Sequence, residues 1–159
     1  MTLRIRPGEL DDVPLIAELI RGLARYEKLE DEVVMTEEKL TDSLFGERRY
    51  AETLIAQDDG EPVGFALFFH NFSTFLAQPG IYLEDLFVVP EQRGRGVGRG
   101  LLERLAQVAV DRGCGRLEWA VLDWNKDAIK FYERLGAKPN SEWTVYRLTG
   151  QPLHALAGE

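Results

Sequence analysis

The chain has 159 residues, of which 45% are hydrophobic, and its formal net charge at pH 7 is −8. This length suffices for one buried core and the composition does not change along the chain, so we expect a single domain over residues 1–159, with a core at 4–149 and a C-terminal tail at 150–159. The acidic charge argues against a nucleic-acid partner, because that kind of binding depends on clustered Lys and Arg.

Other simple features narrow the class of protein further. The N-terminal residues lack the apolar stretch of a secretory signal, and no run of about eighteen apolar residues predicts a membrane span. We therefore expect a cytoplasmic protein without a membrane partner. Cys114 is the only cysteine, which excludes an internal disulfide and a cysteine-based metal cluster, so no metal site is expected.

The first half of the chain predicts a strand, two helices and a strand hairpin. The strand is Leu3–Arg6, the first helix is opened by Asp11 or Asp12 together with Pro14, and the second begins at Thr36. One face of the first helix is apolar, through Leu15, Ile16, Leu19, Ile20 and Leu23. The hairpin strands, their turn and the loop that follows are expected at 51–57, 63–71, 58–61 and 72–80, respectively.

A strand, a glycine-rich turn and a helix follow one another in the middle of the chain. The strand covers 81–90, the amphipathic helix covers 100–112, and the turn between them contains Gly94, Gly96 and Gly98. Backbone N–H groups in such a turn and in the first helical turn lack intrahelical partners, and the helix dipole adds partial positive charge. Phosphate oxygens are therefore favoured there.

The spacing of these glycines excludes two common nucleotide-binding motifs. A Walker loop requires a lysine and a hydroxyl residue after its last glycine, and neither is present. The dinucleotide motif requires a third glycine where Arg99 stands. The remaining pattern, Arg-Gly-x-Gly-x-Gly over 93–98, is accompanied by three arginines in an otherwise acidic chain, Arg93, Arg95 and Arg99.

A second motif lies downstream. A strand is predicted at 116–122, and Asn125 then caps a short helix that ends at Gly136. The apolar face of this helix consists of Ala128, Phe131, Tyr132 and Leu135. A last strand is expected at 143–148, followed by a loosely held tail. The order βααβββαβαβ predicts an α/β fold with a mixed sheet.

Together, the two motifs resemble a known family of enzymes. LEDLFVVP and QRGRGVG in the first motif, and the pattern NxxAxxFYxxLGA in the second, are similar to the two signature motifs of the GNAT superfamily of acetyl-CoA-dependent N-acetyltransferases. The resemblance covers roughly residues 4–148 and is closest to the diamine (spermidine/spermine) N-acetyltransferase family. The segments that carry this closer similarity are ARYEK at 24–28, TEEKL at 36–40, VGFA at 63–66 and YLED at 82–85.

The resemblance implies a GNAT fold, with a mixed central sheet flanked by helices, and acetyl-CoA as the co-substrate. It also implies a small amine as the partner substrate, and a homodimer. Backbone N–H groups at 86–88 would bind the acetyl and pantetheine arm, and the segment 93–99 would hold the pyrophosphate. The residues that it implies for cofactor binding are Leu86, Phe87, Val88, Arg93, Gly94, Arg95, Gly96, Val97, Gly98, Arg99, Asn125, Lys126, Asp127 and Ala128.

Acetyl transfer to an amine needs a general base, because neutralising an aliphatic ammonium at pH 7 costs about 4 to 5 kcal/mol. The resemblance assigns this role to Glu84, acting through water. It assigns the role of general acid, which protonates the leaving thiolate, to Tyr132. Strict alternation along the strand points the adjacent Asp85 to the opposite face, which predicts a structural role for Asp85.

The acceptor is not fixed by the sequence. Tyr26, Glu27, Glu84 and Thr144 match substrate-binding positions of the family, but Thr144 stands where the family has an acidic residue, and an acidic residue of the polyamine enzymes is replaced within 71–74. Both differences argue against a polyamine. Three functions remain open: acetylation of a polyamine, diamine or lysine-like amino acid; acetylation of a protein or peptide; and acyl-CoA sensing without catalysis. The presence of Glu84 and Tyr132 favours an enzyme.

Overall fold

The structure is a computed structural model that describes residues 1–159, and it divides into two compact units, Met1–Ala120 and Val121–Glu159. The first unit is built on one five-stranded sheet whose strands follow chain order. Neighbouring strands are antiparallel except for β4 and β5, which are parallel, so the predicted mixed sheet is confirmed. The strands are β1 Leu3–Pro7, β2 Glu52–Asp58, β3 Glu61–Ser73, β4 Gln78–Val88 and β5 Leu117–Trp119.

Five α-helices accompany the sheet in the sequence. The first unit contains α1 Val13–Tyr26, α2 Glu37–Phe45 and α3 Val97–Asp111. The second unit contains α4 Lys126–Arg134 and α5 Gly150–Leu156. None of these helices combines the length and the apolar character needed to cross a membrane. The prediction of one domain over 1–159 stays a prediction.

Helices α1 and α2 cover one face of the sheet, and α3 covers the other. Ile55 and Phe65 lie in a buried cluster with apolar side chains of α1 and α2. Ile5 pairs with Ala56, the neighbour of Ile55, and therefore points to the opposite face, where a Cβ added at Gly100 of α3 would lie 3.3 Å from it. The predicted apolar face of α1 is confirmed, and full burial of each such side chain contributes about 1.5–3 kcal/mol. Its buried members are Val13, Ile16, Ala17, Leu19 and Leu23, with Leu15 and Ile20 packed at the margin.

The predicted starts of α1, α2 and α4 are confirmed. Thr36 accepts a hydrogen bond from the N–H of Lys39 at 3.1 Å at the start of α2. Asn125 accepts one from the N–H of Ala128 at 3.3 Å at the start of α4. Pro14 stands in the first turn of α1, where a missing N–H costs no hydrogen bond. Short polar side chains placed just before apolar repeats therefore set where α2 and α4 begin.

One of the two predicted hairpin connections agrees with the structure, and the other differs in its bounds. Asp59 and Gly60 join β2 to β3 with φ values of 50° and 85°, which suits the predicted tight turn. The predicted loop at 72–80 is wrong in its bounds, because Ser73 pairs with Gln78 and only residues 74–77 form the turn. Extending both strands pairs backbone groups that a loop would leave unpaired.

A β-bulge interrupts β4 at Glu84. Leu67 of β3 pairs with Asp85, whereas the next residue, Phe68, pairs with Leu83, so Glu84 is an extra residue without a counterpart on β3. Leu67 packs against the cluster beneath α1 and α2, and Asp85, directly opposite, points to the same face. Leu83 pairs with Phe68, and both point to the face of the sheet opposite α1 and α2. Because Glu84 is the next residue after Leu83, its side chain points to the α1 face, as that of Asp85 does. The prediction that Asp85 points away from Glu84 is wrong, because the bulge breaks the alternation on which it relied.

The C-terminal predictions are wrong in two places. Residues 143–148 do not form a strand, and Trp143, Val145 and Tyr146 are 75%, 91% and 93% exposed. Their composition is that of a strand, but a strand forms only where a neighbour pairs with it. The tail at 150–159, predicted to be loosely held, contains a helix that was not predicted, α5, and all of its residues are exposed. In the first unit, β5 is shorter than the predicted 116–122 and covers only 117–119.

Candidate active site

The glycine turn leads directly into α3. Gly94 and Gly96 have φ values of 76° and 87°, in the left-handed region, and Gly96 is the N-cap of the helix. The N–H of Gly100 donates to the carbonyl of Gly96 at 2.9 Å, so the N–H groups at 97–99 have no intrahelical acceptor. A Cβ added at Gly94 or Gly96 would meet no atom within 4 Å. The turn therefore faces open space in which an anion can reach these N–H groups.

Two of the three arginines near this turn are held by other side chains. Arg95 donates from Nη1 to Oε1 of Gln92 at 2.6 Å, and the same atom lies 3.9 Å from the carboxylate of Asp58. Arg99 donates from Nε to Glu103 at 2.8 Å, one turn further along α3. Both arginines supply positive charge near the turn while their guanidinium groups contact the protein itself.

The side chain of Arg93 lies against Tyr26, the last residue of α1. Its Nε donates to the carbonyl of Val88 at 3.0 Å, and its guanidinium carbon lies 4.2 Å from the centroid of the Tyr26 ring and 5.5 Å from that of Phe87. Gly22, one turn before Tyr26, is so close to Phe87 that an added Cβ would lie 2.9 Å from the ring. Arg93, Tyr26 and Phe87 thus form a cation–π cluster that joins the glycine turn to α1.

Strand β4 loses one of its neighbours after the bulge. It pairs with β3 as far as Val88, but it pairs with β5 only over 81–83. The backbone of 84–88 therefore has no sheet partner on the β5 side, and the N–H groups on that edge can donate to another acceptor. This edge is compatible with the predicted role of 86–88 in binding the acetyl and pantetheine arm, which stays a prediction.

Three carboxyl groups interact at the C-terminal end of α1 and the bulge, those of Glu27, Glu84 and Asp85. Burial, together with the charge of Glu84, raises the pKa of Glu27. Burial, together with the charges of Glu84 and Glu27, raises the pKa of Asp85 to about 7. Both shifts favour the protonated form, because buried and neighbouring carboxylates disfavour ionisation. A cation in this cluster would oppose both shifts by stabilising the charged forms.

No three His, Cys, Asp or Glu side chains are arranged to hold a metal ion. The cofactor-binding residues predicted from the second motif lie at the start of α4 in the second unit. Asn125 uses its side chain as the cap, and Ala128 supplies the capped N–H. Lys126 and Asp127 are exposed in the first turn of the helix. Their role in binding the cofactor stays a prediction.

The predicted general acid also lies on α4. Tyr132 is half-buried, and its ring centroid lies 5.6 Å from that of Phe131. This contact is also compatible with a purely structural role for Tyr132 as a packed aromatic residue. Thr144, predicted as a substrate residue, is exposed in the irregular segment that replaces the expected last strand.

Comparison with known proteins identifies the family. Residues 17–137 match the Acetyltransferase (GNAT) family. The chain belongs to this family. It is therefore an N-acetyltransferase, and its mixed sheet with flanking helices is the GNAT fold, as the sequence motifs predicted.

Several proteins are similar to this GNAT enzyme over nearly its whole length. Thialysine N-epsilon-acetyltransferase from Bos taurus is 42% identical, covering 98% of the chain and 97% of the relative. L-ornithine N5-acetyltransferase from Arabidopsis thaliana is 34% identical, covering 98% and 88%. Human spermidine/spermine N(1)-acetyltransferase-like protein 1 is 31% identical and covers 98% of the chain but 24% of that protein. Among solved structures, an integron cassette protein from V. cholerae has a TM-score of 0.81 at 29% identity, covering 100% and 99%.

Two features of the GNAT enzyme's site were not predicted from its sequence. One is the contact between Arg93 and Tyr26, which joins residues assigned to different substrates. The other is the position of Asp85 beside Glu84, which follows from the bulge. The two adjacent acidic residues were a visible signal, but a bulge is recognised only from the register with β3.

Proposed function

We propose that this GNAT enzyme transfers the acetyl group of acetyl-CoA to a primary amine of a small cationic substrate by direct attack. The observation that carries this proposal is the carboxyl cluster of Glu27, Glu84 and Asp85, in which burial and mutual repulsion raise the pKa of Glu27 and Asp85. A protonated amine entering the cluster would gain the Coulomb attraction of these groups, which is strong where water is excluded. The negative net charge of the chain would also attract cations from a distance.

The glycine turn fits the phosphate groups of acetyl-CoA. The N–H groups at 97–99 and the open space beside Gly94 and Gly96 suit the pyrophosphate, and Arg93 adds positive charge. The backbone edge at 86–88 would bind the pantetheine arm and acetyl carbonyl. By resemblance to the family, residues 125–128 at the start of α4 are also proposed to bind acetyl-CoA. Acetyl-CoA supplies the activated acetyl group, as a thioester.

The acceptor is a lysine-like amino acid in preference to a diamine or polyamine. The relatives at 42% and 34% identity are named for thialysine and ornithine, both of which present a primary amine at the end of an amino-acid side chain. The relative named for spermidine and spermine is 31% identical. Tyr26, Glu27 and Glu84 would bind the acceptor, with Thr144 added by resemblance. An uncharged residue at Thr144 suits a substrate with fewer positive charges than a polyamine.

Glu84 is the proposed general base, acting through a water molecule. The ammonium group must lose its proton before its nitrogen lone pair can attack, and Glu84 lies at the bulge, where β4 no longer pairs with β5. Tyr132 is the proposed general acid, since a phenol can give its proton to the departing thiolate. Its hydroxyl would then regain a proton from solvent.

A panel of amines tests the proposal. Thiol release from acetyl-CoA would be measured with thialysine, lysine, ornithine, putrescine, spermidine and a short peptide. We expect the highest kcat/KM with a lysine-like amino acid. Glu84→Gln should raise the KM for that amine and lower kcat, whereas Glu38→Gln, an exposed residue of α2, should change neither.

The panel also separates the alternatives. Turnover of the peptide alone would replace the small-amine proposal with a protein acetyltransferase. Absence of thiol release with every amine, in a protein that binds acetyl-CoA, would replace it with an acyl-CoA sensor.

A further inference from the structure

A small open cleft lies near the start of β4, at the end of this strand that is remote from the glycine turn. The side chains that line it include Asn71, Arg116 and Glu118. Gly80 of β4 pairs with Asn71, and a Cβ added at Gly80 would collide with Oδ1 of Asn71. Because Gly80 has no side chain, Asn71 reaches across β4 and donates from Nδ2 to Oε1 of Glu118 at 3.3 Å. The missing side chain of Gly80 thus leaves room for the cleft.

Arg116 and Glu118 bring opposite charges to this cleft. Glu118 pairs with Tyr82, and the carbonyl of Arg116 accepts a hydrogen bond from the N–H of Ile81 at 2.9 Å, so the pairing of β4 with the β5 side extends back to Arg116. Residues two apart on a strand point to one face, and both side chains line the cleft. They do not form an ion pair with each other. A ligand with one anionic and one cationic group can therefore bind both.

The cleft lies on the same face of the sheet as the carboxyl cluster at the bulge. Tyr82 points to the α1 face, since the adjacent Leu83 points to the other face, and Glu118 is the partner of Tyr82 on β5. Burial, together with the charges of Glu84 and Glu118, raises the pKa of Tyr82. Both carboxylates are thus within electrostatic reach of one phenol. One strand spacing and two residues separate Glu84 from Glu118, which places their Cα atoms about 8 Å apart.

This separation suits a lysine-like amino acid. Five single bonds join the α-carbon of lysine or thialysine to the terminal nitrogen, and they span about 6 Å when extended. An acceptor whose terminal amine lies at Glu84 therefore has its α-carbon near the cleft. The α-carbon carries one carboxylate and one ammonium group, whereas a diamine has no carboxylate to place there.

We propose that Arg116 and Glu118 form a head-group subsite, in which Arg116 binds the α-carboxylate and Glu118 the α-ammonium of a lysine-like acceptor. This inference rests on the proposed function, which places the terminal amine at Glu84. The planar guanidinium of Arg116 can donate two parallel hydrogen bonds to a carboxylate. Asn71 holds Glu118 from β3. The subsite selects amino acids over diamines, because a diamine would leave Arg116 facing a cation or no group at all.

Three acceptors that differ in the head group test the subsite. L-lysine carries both charges, cadaverine is lysine without its carboxylate, and Nα-acetyl-L-lysine has lost the α-ammonium. Thiol release from acetyl-CoA gives kcat and KM for each. We expect the wild type to prefer L-lysine over either analogue about 10- to 100-fold in kcat/KM, the scale of one hydrogen bond to a charged group. The difference should lie mainly in KM, because the head group is remote from the reacting carbonyl.

Variants assign each preference to one side chain. Arg116→Gln should remove most of the preference for L-lysine over cadaverine, and its turnover of cadaverine shows that the variant is folded. Glu118→Gln should remove most of the preference for L-lysine over Nα-acetyl-L-lysine. Arg104→Gln, which alters an exposed arginine of α3, is the matched control and should keep both preferences.

The outcomes distinguish this inference from the proposed function. If the wild type acetylates these amines without preferring L-lysine, or if Arg116→Gln or Glu118→Gln keeps the wild-type preferences, the head-group subsite is wrong and acetyl transfer to a small amine stands. If the wild type acetylates none of the amines, the proposed function fails and the inference fails with it. Loss of one preference in each variant, with both kept in Arg104→Gln, supports the subsite.

Discussion

Asp85 shows how one inserted residue changes the chemistry of its neighbour. In a regular strand its carboxyl group would lie on the face opposite Glu84. The bulge instead leaves both carboxyl groups on the α1 face, where burial and the charges of Glu84 and Glu27 raise the pKa of Asp85 to about 7. Side chains that titrate near neutral pH are frequent at catalytic sites. Asp85 is therefore part of the electrostatic environment of the proposed base.

Asp85→Asn should change how stability depends on pH. The folded-state pKa of about 7 lies above the ordinary value of 3.8, so the folded protein holds a proton that the unfolded chain releases. The wild type therefore loses stability as the pH rises from about 4 to about 7, whereas an amide cannot ionise. By pH 8 the variant should be more stable relative to the wild type than at pH 4, by on the order of 4 kcal/mol. Melting temperatures from pH 4 to 8.5 check this, and parallel curves for the two proteins would contradict it.

Tyr132→Phe should separate chemistry from binding. The substitution keeps the ring beside Phe131 but removes the proton proposed for the leaving thiolate, so kcat should fall by roughly 10²- to 10⁴-fold with acetyl-CoA affinity nearly intact. Steady-state kinetics and calorimetry measure the two quantities. Tyr50→Phe, in a tyrosine that is 63% exposed, is the control and should keep full activity. A rate within a few-fold of wild type, with chemistry limiting, would return Tyr132 to a packing role.

At the scale of elements, the sequence predicts what local chemistry determines. Thr36 and Asn125 cap their helices as expected, and Asp59-Gly60 makes the expected tight turn. The glycine turn precedes α3 as expected, although the helix begins at Val97 rather than at 100. Each of these features depends on residues within a few positions of one another, so a short pattern contains the information.

The missed features depend on distant residues. The bulge at Glu84 exists only relative to β3, and the length of β5 depends on how far β4 accompanies it. Segment 143–148 has the composition of a strand but lacks the pairing partner that would make it one. The Arg93–Tyr26 contact joins residues 67 positions apart in the chain. Sequence patterns therefore predict candidate site residues, but they do not predict which of these residues contact one another.

Gly96→Asp should abolish cofactor binding while the fold persists. The carboxylate would stand at the N-cap of α3 beside the proposed pyrophosphate, where it would occupy or repel the phosphate site. The left-handed φ of 87° costs a non-glycine residue about 1–2 kcal/mol. Gly113→Asp is a matched control, because Gly113 has φ of 72° just beyond the other end of the same helix and is equally open.

Thermal shift with acetyl-CoA measures the effect, because a ligand that binds the folded state raises the melting temperature with its concentration. Gly113→Asp should keep the shift and Gly96→Asp should lose it. A shift retained in Gly96→Asp would refute the phosphate role of the glycine turn.

At the scale of the whole molecule, we predict a homodimer. The prediction comes from the resemblance to diamine acetyltransferases, and one further observation supports it. Trp143, Val145 and Tyr146 are largely exposed within a short segment, and clustered apolar exposure commonly marks a contact surface. Light scattering at micromolar concentration should give about twice the chain mass of 18.1 kDa. A mass equal to that of one chain would refute the prediction.

Because Glu84 is the extra residue of the bulge, the strand pairing of β3 and β4 does not depend on it. Removing Glu84 would join Leu83 to Asp85, and these residues already pair with Phe68 and Leu67, which are adjacent on β3. The ladder would close without moving any other side chain to a new face. Loss of a single codon could therefore leave a folded descendant that has lost its chemistry. A relative that had lost its activity in this way would have a β4 strand one residue shorter and an intact core.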